Sequence, residues 1–378
     1  MEKRKLMRMK GSENLKGRLL LSTLSSTPIV IDDIRSTDIN PGLRRYEVSL
    51  LRLIQKVCDD CSIIINETGT KLTYKPGIVM GGKYLEHDCG LSRSIAYFLE
   101  VLIVLGLFAK NPLQITLKGI TNDSKDPSVD TFQLTTLNIL KRFGVSSQGL
   151  ALKIESRGVP PMGGGQVVLS IPILHTSLTA VNWIDEGMVM RIRGVSFSTR
   201  VSSKSEALIC SARGIFNNFL PDVRIFIDHK AGAQAGNSPG FGVSLVAETT
   251  SGCCISVDTA VHRPHEEETA EMEDGVEVYW RSPEDVGVDI ASALLGEIEQ
   301  GGVVDSTHQG LLFILCALCP QDVSKIRVGK LSPYGIEILR LVNDFLGVKF
   351  DIKRDPSTGT IMLKCVGCGL KNLSRKLS

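Results

Sequence analysis

The chain has 378 residues, of which 43% are hydrophobic, and its formal net charge at neutral pH is +2. This length can bury a large core in roughly two or three domains, and the balanced charge by itself indicates no particular partner. The longest apolar stretch, Ile95–Ala109, contains Glu100 and is shorter than the roughly 20 residues of a membrane span. We therefore interpret it as a buried helix rather than a membrane-spanning one.

Basic residues are concentrated at the two ends of the chain. The first 18 residues carry Lys3, Arg4, Lys5, Arg8, Lys10, Lys16 and Arg18, and the last few carry Lys371, Arg375 and Lys376. Such ends fit nuclear-entry signals, arms that contact phosphates, or ordinary solvated termini. No apolar segment of a secretory signal follows the basic start, so we expect a soluble intracellular protein with no membrane partner.

A pattern of helix, strand, helix, strand and strand occurs three times along the chain. In each unit the second helix begins beside a proline, at Pro41, Pro127 or Pro333, where the missing N–H costs nothing. The first helices of the three units are predicted at Arg18–Ser25, Leu91–Phe108 and Asp305–Leu318. The predicted strands are Ile29–Ile34, Ser62–Glu67 and Lys71–Lys75 in the first unit; Leu113–Lys118, Leu150–Glu155 and Gln166–Ser170 in the second; and Lys325–Val328, Val348–Lys353 and Thr360–Cys365 in the third. Each unit is an α+β layer that buries one sheet face under two helices.

The three units are unevenly spaced. The helix starts at 41 and 127 lie 86 residues apart, whereas those at 127 and 333 lie 206 apart, an excess far too long for a loop. We therefore predict an α/β domain inserted at 185–277, between 1–184 with repeats one and two and 278–378 with repeat three. Its predicted elements are Met190–Val201, Ser203–Phe219, Val223–Asp228 and Gly242–Glu248, then a Glu-rich loop over His262–Glu277, after which the third unit resumes with a helix at Ser282–Glu299.

Residues 157–167 read Arg-Gly-Val-Pro-Pro-Met-Gly-Gly-Gly-Gln-Val. Three successive glycines, Gly163, Gly164 and Gly165, free the backbone to take positive φ and to approach another group closely. Such a loop can present backbone N–H groups to RNA phosphates or another anion. The same residues are equally consistent with a tight turn that joins two strands.

This run resembles the signature of the RNA 3'-terminal phosphate cyclase family, Arg-Gly-x-x-Pro-x-Gly-Gly-Gly-x-aliphatic. Further runs that carry the resemblance are Ile34–Arg44, Lys75–Gly82, Gly119–Asp123 and Asn237–Gly242. The resemblance covers almost the whole chain and implies an α+β fold. That fold has three repeated units of a four-stranded sheet with two helices, plus a smaller α/β domain inserted before the third unit.

The resemblance breaks down at the catalytic motif. Cyclases of the family activate an RNA 3'-phosphate with ATP through an adenylated histidine in a His-x-x-Asp-Gln motif. Here the aligned residues run from Asp305 to His308 and Gln309, so Asp305 occupies the nucleophile's position. A carboxylate cannot form the phosphoramidate with AMP, although His308 remains as an alternative nucleophile. The family's Glu-Gly-Gly-Gly-Gln run is also replaced, by Gly11–Lys16, so we do not expect cyclase activity.

These departures match the cyclase-like branch of the family, whose members are nucleolar proteins needed to mature small-subunit rRNA. The resemblance then implies a ribosome biogenesis factor of the nucleus and nucleolus, acting in pre-rRNA processing and 18S rRNA and 40S maturation within the small-subunit processome. The implied partners are pre-rRNA, a large nucleolar GTPase of ribosome assembly and the box C/D small nucleolar RNP. No cofactor and no metal are expected. A pre-rRNA endoribonuclease is the alternative, and an active cyclase is the third hypothesis.

Arg35, Arg44 and Arg45 flank the Asn-Pro-Gly turn before a predicted helix, whose N-terminus favours anions. We predict that they contact RNA phosphates or a partner; the alternative is that they pair with nearby acids such as Glu47. For the endoribonuclease hypothesis the candidates are Asp322 and Lys325, which could position a metal or a water, although the same segment also fits a polar turn.

The remaining polar signals are weaker. Three Cys-x-x-Cys pairs, Cys58/Cys61, Cys316/Cys319 and Cys365/Cys368, could contribute to a zinc site, but they fit reduced core cysteines better. His87 and Asp88 are interpreted as cap or surface residues rather than as an acid–base pair. His262 and His265 are assigned to the Glu-rich loop.

Overall fold

The computed structural model describes residues 6–201, 204–262 and 281–372. The helices are α1 (Leu15–Ser25), α2 (Arg45–Val57), α3 (Ile95–Leu107), α4 (Val129–Thr131, a π-helical turn Phe132–Thr136 and Leu137–Arg142), α5 (Lys204–Phe216), α6 (Pro283–Gln300), α7 (Gln309–Leu318) and α8 (Pro333–Leu346). Within the described ranges, no helix combines the length and apolar character that crossing a membrane requires.

Three four-stranded sheets share one topology, and the short strands β3 (Cys58–Asp59) and β6 (Ile78–Val79) form a separate antiparallel pair. The strands of the three sheets are β1 (Met7–Lys10), β2 (Ile29–Asp32), β4 (Ser62–Ile65) and β5 (Leu72–Lys75); β7 (Gly82–Asp88), β8 (Leu113–Gly119), β9 (Ala151–Ser156) and β10 (Gly165–Ile171); β11 (Asn182–Trp183), β16 (Val323–Val328), β17 (Asp351–Arg354) and β18 (Ile361–Val366). The orders are β1-β2-β5-β4, β7-β8-β10-β9 and β11-β16-β18-β17. Each begins with a parallel pair and continues with antiparallel pairs. The predicted α+β fold of repeated four-stranded units is confirmed.

The first strand of every repeated sheet is absent from the pattern-based prediction. β1, β7 and β11 are edge strands that pair in parallel. The partners of β1 and β7 lie beyond one helix, whereas β16, the partner of β11, lies beyond the whole inserted domain. In β11, Asn182 pairs with Lys325 and Trp183 with Ile326. The third sheet therefore takes its edge strand from residues that precede the inserted domain, a segment that the predicted boundary at 184 grouped with repeats one and two.

The inserted domain contains a fourth sheet, of order β13-β12-β14-β15. Its strands are β12 (Val189–Thr199), β13 (Val223–Lys230), β14 (Gly240–Thr249) and β15 (Cys254–His262), of which β15 was not predicted. Helix α6, predicted to open the third unit, instead buries Val286, Ile290 and Leu294 in the same apolar cluster as Leu208 of α5. A separate, larger cluster joins the helices and sheets of the three repeats. The predicted Glu-rich loop lies outside the described residues except for His262.

Local sequence explains where the helices begin. In α8, Ser332 accepts a hydrogen bond from the N–H of Gly335 at 3.1 Å, and Pro333 occupies the first turn. Helix α2 begins at Arg45 rather than at the predicted Pro41, because Gly42 has a φ of +86° and turns the chain away from helix. The Glu47 carboxylate then accepts from the N–H of Arg44 at 2.7 Å, which satisfies a free donor at the start of the helix.

The cysteines of two Cys-x-x-Cys pairs lie where α7 packs on β18. Cys316 and Cys365 are buried, and the Cys319 thiol donates to the carbonyls of Thr179 and Leu315 at 3.3 and 3.2 Å. Burial raises the pKa of Cys319 to about 12, which favours the thiol over the thiolate that binds zinc. Within residues 6–201, 204–262 and 281–372, no three His, Cys, Asp or Glu side chains are arranged to hold a metal ion.

His87 is buried in β7, so its interpretation as a surface or cap residue is wrong. It is 4% exposed, and its Nε2 lies 3.0 Å from the Ser49 hydroxyl. Burial, together with the positive charges of Lys56 and Arg52, lowers the pKa of His87 from 6.5 to about 4. Asp88, by contrast, accepts from the N–H of Gly90 at 2.8 Å, as a local cap does.

We expect His87 to make the fold sensitive to acid. Because its pKa is lower in the folded than in the unfolded chain, its proton favours unfolding, and stability falls as pH drops from 6.5 towards 4. The full loss is roughly 3 kcal/mol. His87→Phe should remove that part of the pH dependence of the free energy of unfolding, measured by urea titration. The exposed control His229→Ala should retain it, and an unchanged profile in His87→Phe would contradict the assignment.

Candidate functional site

Arg157, the first residue of the Arg157–Val167 loop, is a buried cation. Its side chain is bonded to Asp130 of α4 by two hydrogen bonds of 2.7 and 2.8 Å, and to Asp228 of β13 by one of 2.6 Å. The guanidinium also lies 5.0 Å from the ring of Phe197 on β12. Burial alone would lower the pKa of Arg157, but the two carboxylates raise it, so the group stays charged. The signature arginine thus joins the second repeat to the inserted domain.

The glycines of the loop bring its backbone against the inserted domain. The carbonyl of Gly163 accepts from the N–H of Asn237 at 2.9 Å, and the Asn237 side chain donates to Met162 at 3.2 Å. Gly163 and Gly164 have φ of +53° and +86°, and a Cβ on Gly164 would lie 2.9 Å from the Asn237 side chain. The loop therefore closes the turn between β9 and β10 and also docks on its neighbour. Anion binding by Gly163, Gly164 and Gly165 stays a prediction.

Asp305 is buried and fully hydrogen-bonded. One carboxylate oxygen accepts from the N–H and Oγ of Ser256, at 2.9 and 2.8 Å, and the other accepts from the N–H and Nδ1 of His308, at 3.0 and 2.8 Å. Burial would raise the pKa of Asp305, but the charge and hydrogen bonds of His308 lower it, while Asp305 raises that of His308. The Asp305 carboxylate thus ties β15 to the start of α7, and its correspondence to the cyclase nucleophile stays a prediction.

His308 is similarly held in place. Its Nε2 lies 2.9 Å from the hydroxyl of Thr136, on the π-helical turn of α4, so both ring nitrogens have partners. The side chain is 4% exposed. An imidazole with both nitrogens occupied and little access to solvent is poorly placed to attack ATP. The geometry does not favour His308 as a substitute nucleophile.

Two segments that depart from the cyclase pattern meet at one cavity. Lys16 at the start of α1 and His308 before α7 both line a cavity of about 40 Å³, together with Pro127. Lys16 forms an ion pair with Glu100 at 2.5 Å, and Tyr334 donates to the same carboxylate at 3.2 Å. Small-molecule pockets usually measure several hundred Å³, so the space beside His308 is narrow.

A larger cleft, between the loop before α4 and the inserted domain, is acidic. It measures about 390 Å³, and Asp123, Asp126, Asp258 and Glu297 line it beside a single lysine, Lys125. Burial raises the pKa of Asp258 to about 6, so this group is largely ionised at neutral pH. A cleft with this charge disfavours the phosphates of RNA.

The three candidate arginines differ in how far they are engaged. Arg35 donates to both oxygens of Glu47, at 2.7 and 2.8 Å, and Arg44 donates to Asp38 at 2.9 Å. Arg45 is exposed and makes no hydrogen bond or ion pair within the part of the chain that the structure describes. The pairing of arginines with local acids is therefore found at two positions, and only Arg45 keeps its charge uncompensated. Contact of the three with RNA stays a prediction.

Asp322 and Lys325 are close in sequence but are not joined by an ion pair within the described residues. Asp322 is exposed just before β16, and its carboxylate accepts from the N–H of Val323 at 2.7 Å. Lys325 is half-buried within β16, where its N–H donates to the carbonyl of Val181 at 2.8 Å. Contacts of this kind are typical of residues at the beginning of a β-strand. The role of the two residues in RNA cleavage stays a prediction.

The repeated four-stranded sheets and the Arg157–Val167 loop define a protein of the cyclase fold. Comparisons with known proteins identify the same family. The family model for RNA 3'-terminal phosphate cyclase matches residues 7–352. A probable RNA 3'-terminal phosphate cyclase-like protein of Arabidopsis thaliana is 64% identical over 375 residues, covering 99% of both chains. The chain belongs to the RNA 3'-terminal phosphate cyclase family.

Two further relatives extend the comparison. An RNA 3'-terminal phosphate cyclase-like protein of Homo sapiens is 45% identical over 97% of both chains. A protein of Schizosaccharomyces pombe named as an rRNA processing protein is 39% identical over 98% of both chains. Both matches span the inserted domain as well as the repeats.

Loss of the Arg157 charge should destabilise the protein strongly. Arg157→Met leaves Asp130 buried without its cation, which costs about 3–5 kcal/mol of the free energy of unfolding. Urea denaturation measures the change. The matched control is Arg193→Met, because Arg193 forms a similar two-bond pair with Asp222 at a more exposed site, and its loss should cost less than about 1 kcal/mol. Equal losses of the free energy of unfolding in the two variants would show that the buried Arg157 pair stabilises the fold no more than the exposed Arg193 pair does.

Proposed function

We propose that this protein is a ribosome biogenesis factor that acts in pre-rRNA processing and in maturation of 18S rRNA and the 40S subunit, without cyclase activity. The observation that carries the proposal is the bonding of Asp305, the residue that we assign to the position of the family's nucleophile. Each of its carboxylate oxygens already accepts two hydrogen bonds, from Ser256 or from His308. Full-length similarity to an rRNA processing protein supplies the process in which such a chain would act.

The proposal includes a place of action and partners. We expect the protein in the nucleus and nucleolus, within the small-subunit processome. Its proposed partners are pre-rRNA, a large nucleolar GTPase of ribosome assembly and the box C/D small nucleolar RNP. These expectations rest on the resemblance to the cyclase-like branch of the family. In this role the protein would contribute binding surfaces rather than a reaction.

An adenylation assay tests the loss of cyclase chemistry. We expect no covalent AMP on the purified protein after incubation with labelled ATP, because both ring nitrogens of His308 already have hydrogen-bond partners and Asp305 cannot form a phosphoramidate. An active cyclase of the same family, which carries the histidine, serves as the positive control. A labelled adduct that disappears in His308→Asn would contradict the proposal and restore the cyclase hypothesis.

Depletion in cells tests the role in rRNA processing. Loss of the protein should cause unprocessed pre-rRNA to accumulate and 18S rRNA to fall relative to the large-subunit rRNA, both measured by Northern hybridisation. Re-expression of the wild-type chain should restore 18S rRNA, whereas Arg157→Met should restore less, in proportion to its lower level of folded protein. Normal 18S rRNA after complete depletion would overturn the proposed function.

A further inference from the structure

Tyr84 occupies an irregular position in the edge strand β7. The pairing of β7 with β8 moves from Gly82–Leu113 to Leu85–Ile115, so three residue steps on one strand face two on the other. This is a β-bulge that contains Lys83 and Tyr84. Bulges bend an edge strand and redirect a side chain, and they occur often beside functional sites.

The backbone and the side chain of Tyr84 are both unusual. Its φ is +60°, in the left-handed region that favours glycine and that a bulky side chain rarely adopts. The side chain is 89% exposed, so no packing contact compensates for the strain. Residues held in such conformations are concentrated at binding and catalytic sites. An aromatic ring displayed to solvent at a strained bulge has no evident structural role.

A row of basic side chains on α2 lies beside this bulge. Arg45, Arg52 and Lys56 are exposed and spaced by seven and four residues, which places them on one face of the helix. Ser49 lies on the same face, and its hydroxyl is 3.3 Å from the carbonyl of Asp88 in β7. Lys56 donates to the carbonyl of Glu86 at 2.8 Å. This face of α2 therefore runs along the open edge of β7.

Unpaired basic side chains outnumber unpaired acids around the bulge. Glu86 is paired with Lys118, whereas Asp88 accepts from the neutral N–H of Gly90 and keeps its charge. Arg52 and Lys83 make no hydrogen bond or ion pair with any residue in the ranges that the structure describes, and the carbonyl partner of Lys56 leaves its charge uncompensated. Two further acids, Asp59 and Asp60, border the end of α2. By contrast, carboxylates dominate the cleft that contains Asp258.

We propose that the bulge and the basic face of α2 form a binding site for single-stranded RNA. The ring of Tyr84 stacks on one unpaired base, and Arg52, Lys56 and Lys83 contact the phosphates on either side of it. Stacking on an aromatic ring needs a base that is free of a duplex, and sequence-tolerant stacking beside a basic track is how proteins hold single strands. The site rests on the proposed function, to which it adds the form of RNA bound.

Binding of an RNA probe to the full-length protein tests the stacking contact. The probe is a fluorescein-labelled decamer of uridylate, followed by fluorescence anisotropy. Tyr84→Ala should weaken binding about tenfold, within the range found for loss of one stacked base, whereas Tyr84→Phe should stay within about twofold of wild type. Phe226→Ala is the matched control, because Phe226 is an exposed aromatic residue of β13, 62% exposed, away from the basic face. Equal affinity of Tyr84→Ala and wild type would overturn the site.

Salt dependence tests the phosphate contacts. The double variant Arg52→Ala, Lys56→Ala should bind more weakly and should reduce the slope of log affinity against log salt by about 1.4, since each contact with a single strand contributes about 0.7. The control Arg340→Ala, Lys349→Ala removes two exposed basic residues at and beyond α8 and should leave the slope unchanged. An unchanged slope in the first variant, or the same reduction in both, would overturn the site.

Tyr84→Gly separates binding from folding. Glycine accepts positive φ, so this variant should melt no lower than wild type while it loses RNA affinity as Tyr84→Ala does. If both Tyr84 variants bind the probe normally but fail to restore 18S rRNA after depletion, the surface contacts a protein partner, and the RNA site is wrong while the processing role stands. Normal 18S rRNA after depletion would reject the processing role independently of any binding result.

Discussion

One buried cation fixes how the largest parts of the molecule meet. Arg157 is 1% exposed and draws one carboxylate from α4 and another from β13, which lie 27 and 71 residues away along the chain. Removing these charges from water is costly, and the cost is offset only when all three groups are in bonding geometry. The second repeat and the inserted sheet can therefore meet in very few arrangements. The glycine backbone that follows Arg157 allows the close approach that this geometry needs.

Asp305 holds the inserted sheet against the third repeat. Its hydrogen bonds to Ser256 connect the inserted sheet to the third repeat, as those of Arg157 connect it to the second. Arg157 of the signature loop and Asp305 of the divergent motif thus both hold the inserted domain. The signature loop therefore has a structural role that does not depend on cyclase chemistry.

Much of the fold could be predicted because it is encoded locally. The proline at the start of α8 and the glycine turns of the hairpins are readable within a few residues. Strands β1, β7 and β11 could not be found in this way. All three are edge strands, β1 and β11 have only four and two residues, and the partner of β11 lies beyond the inserted domain. Sequence likewise singled out Arg157 and Asp305. It could not identify Asp130, Asp228 or Ser256, because nothing local shows which polar side chain will lie opposite.

The divided third repeat has a consequence for the order in which the chain acquires its structure. Asn182 and Trp183 leave the translating ribosome long before Lys325 and Ile326, their partners in the third sheet. The first two repeats can close while synthesis continues, but this edge strand waits until the inserted domain has been made. Strands β16, β18 and β17 pair with one another without β11, so the third sheet lacks only its edge until the two ends of the inserted domain come together.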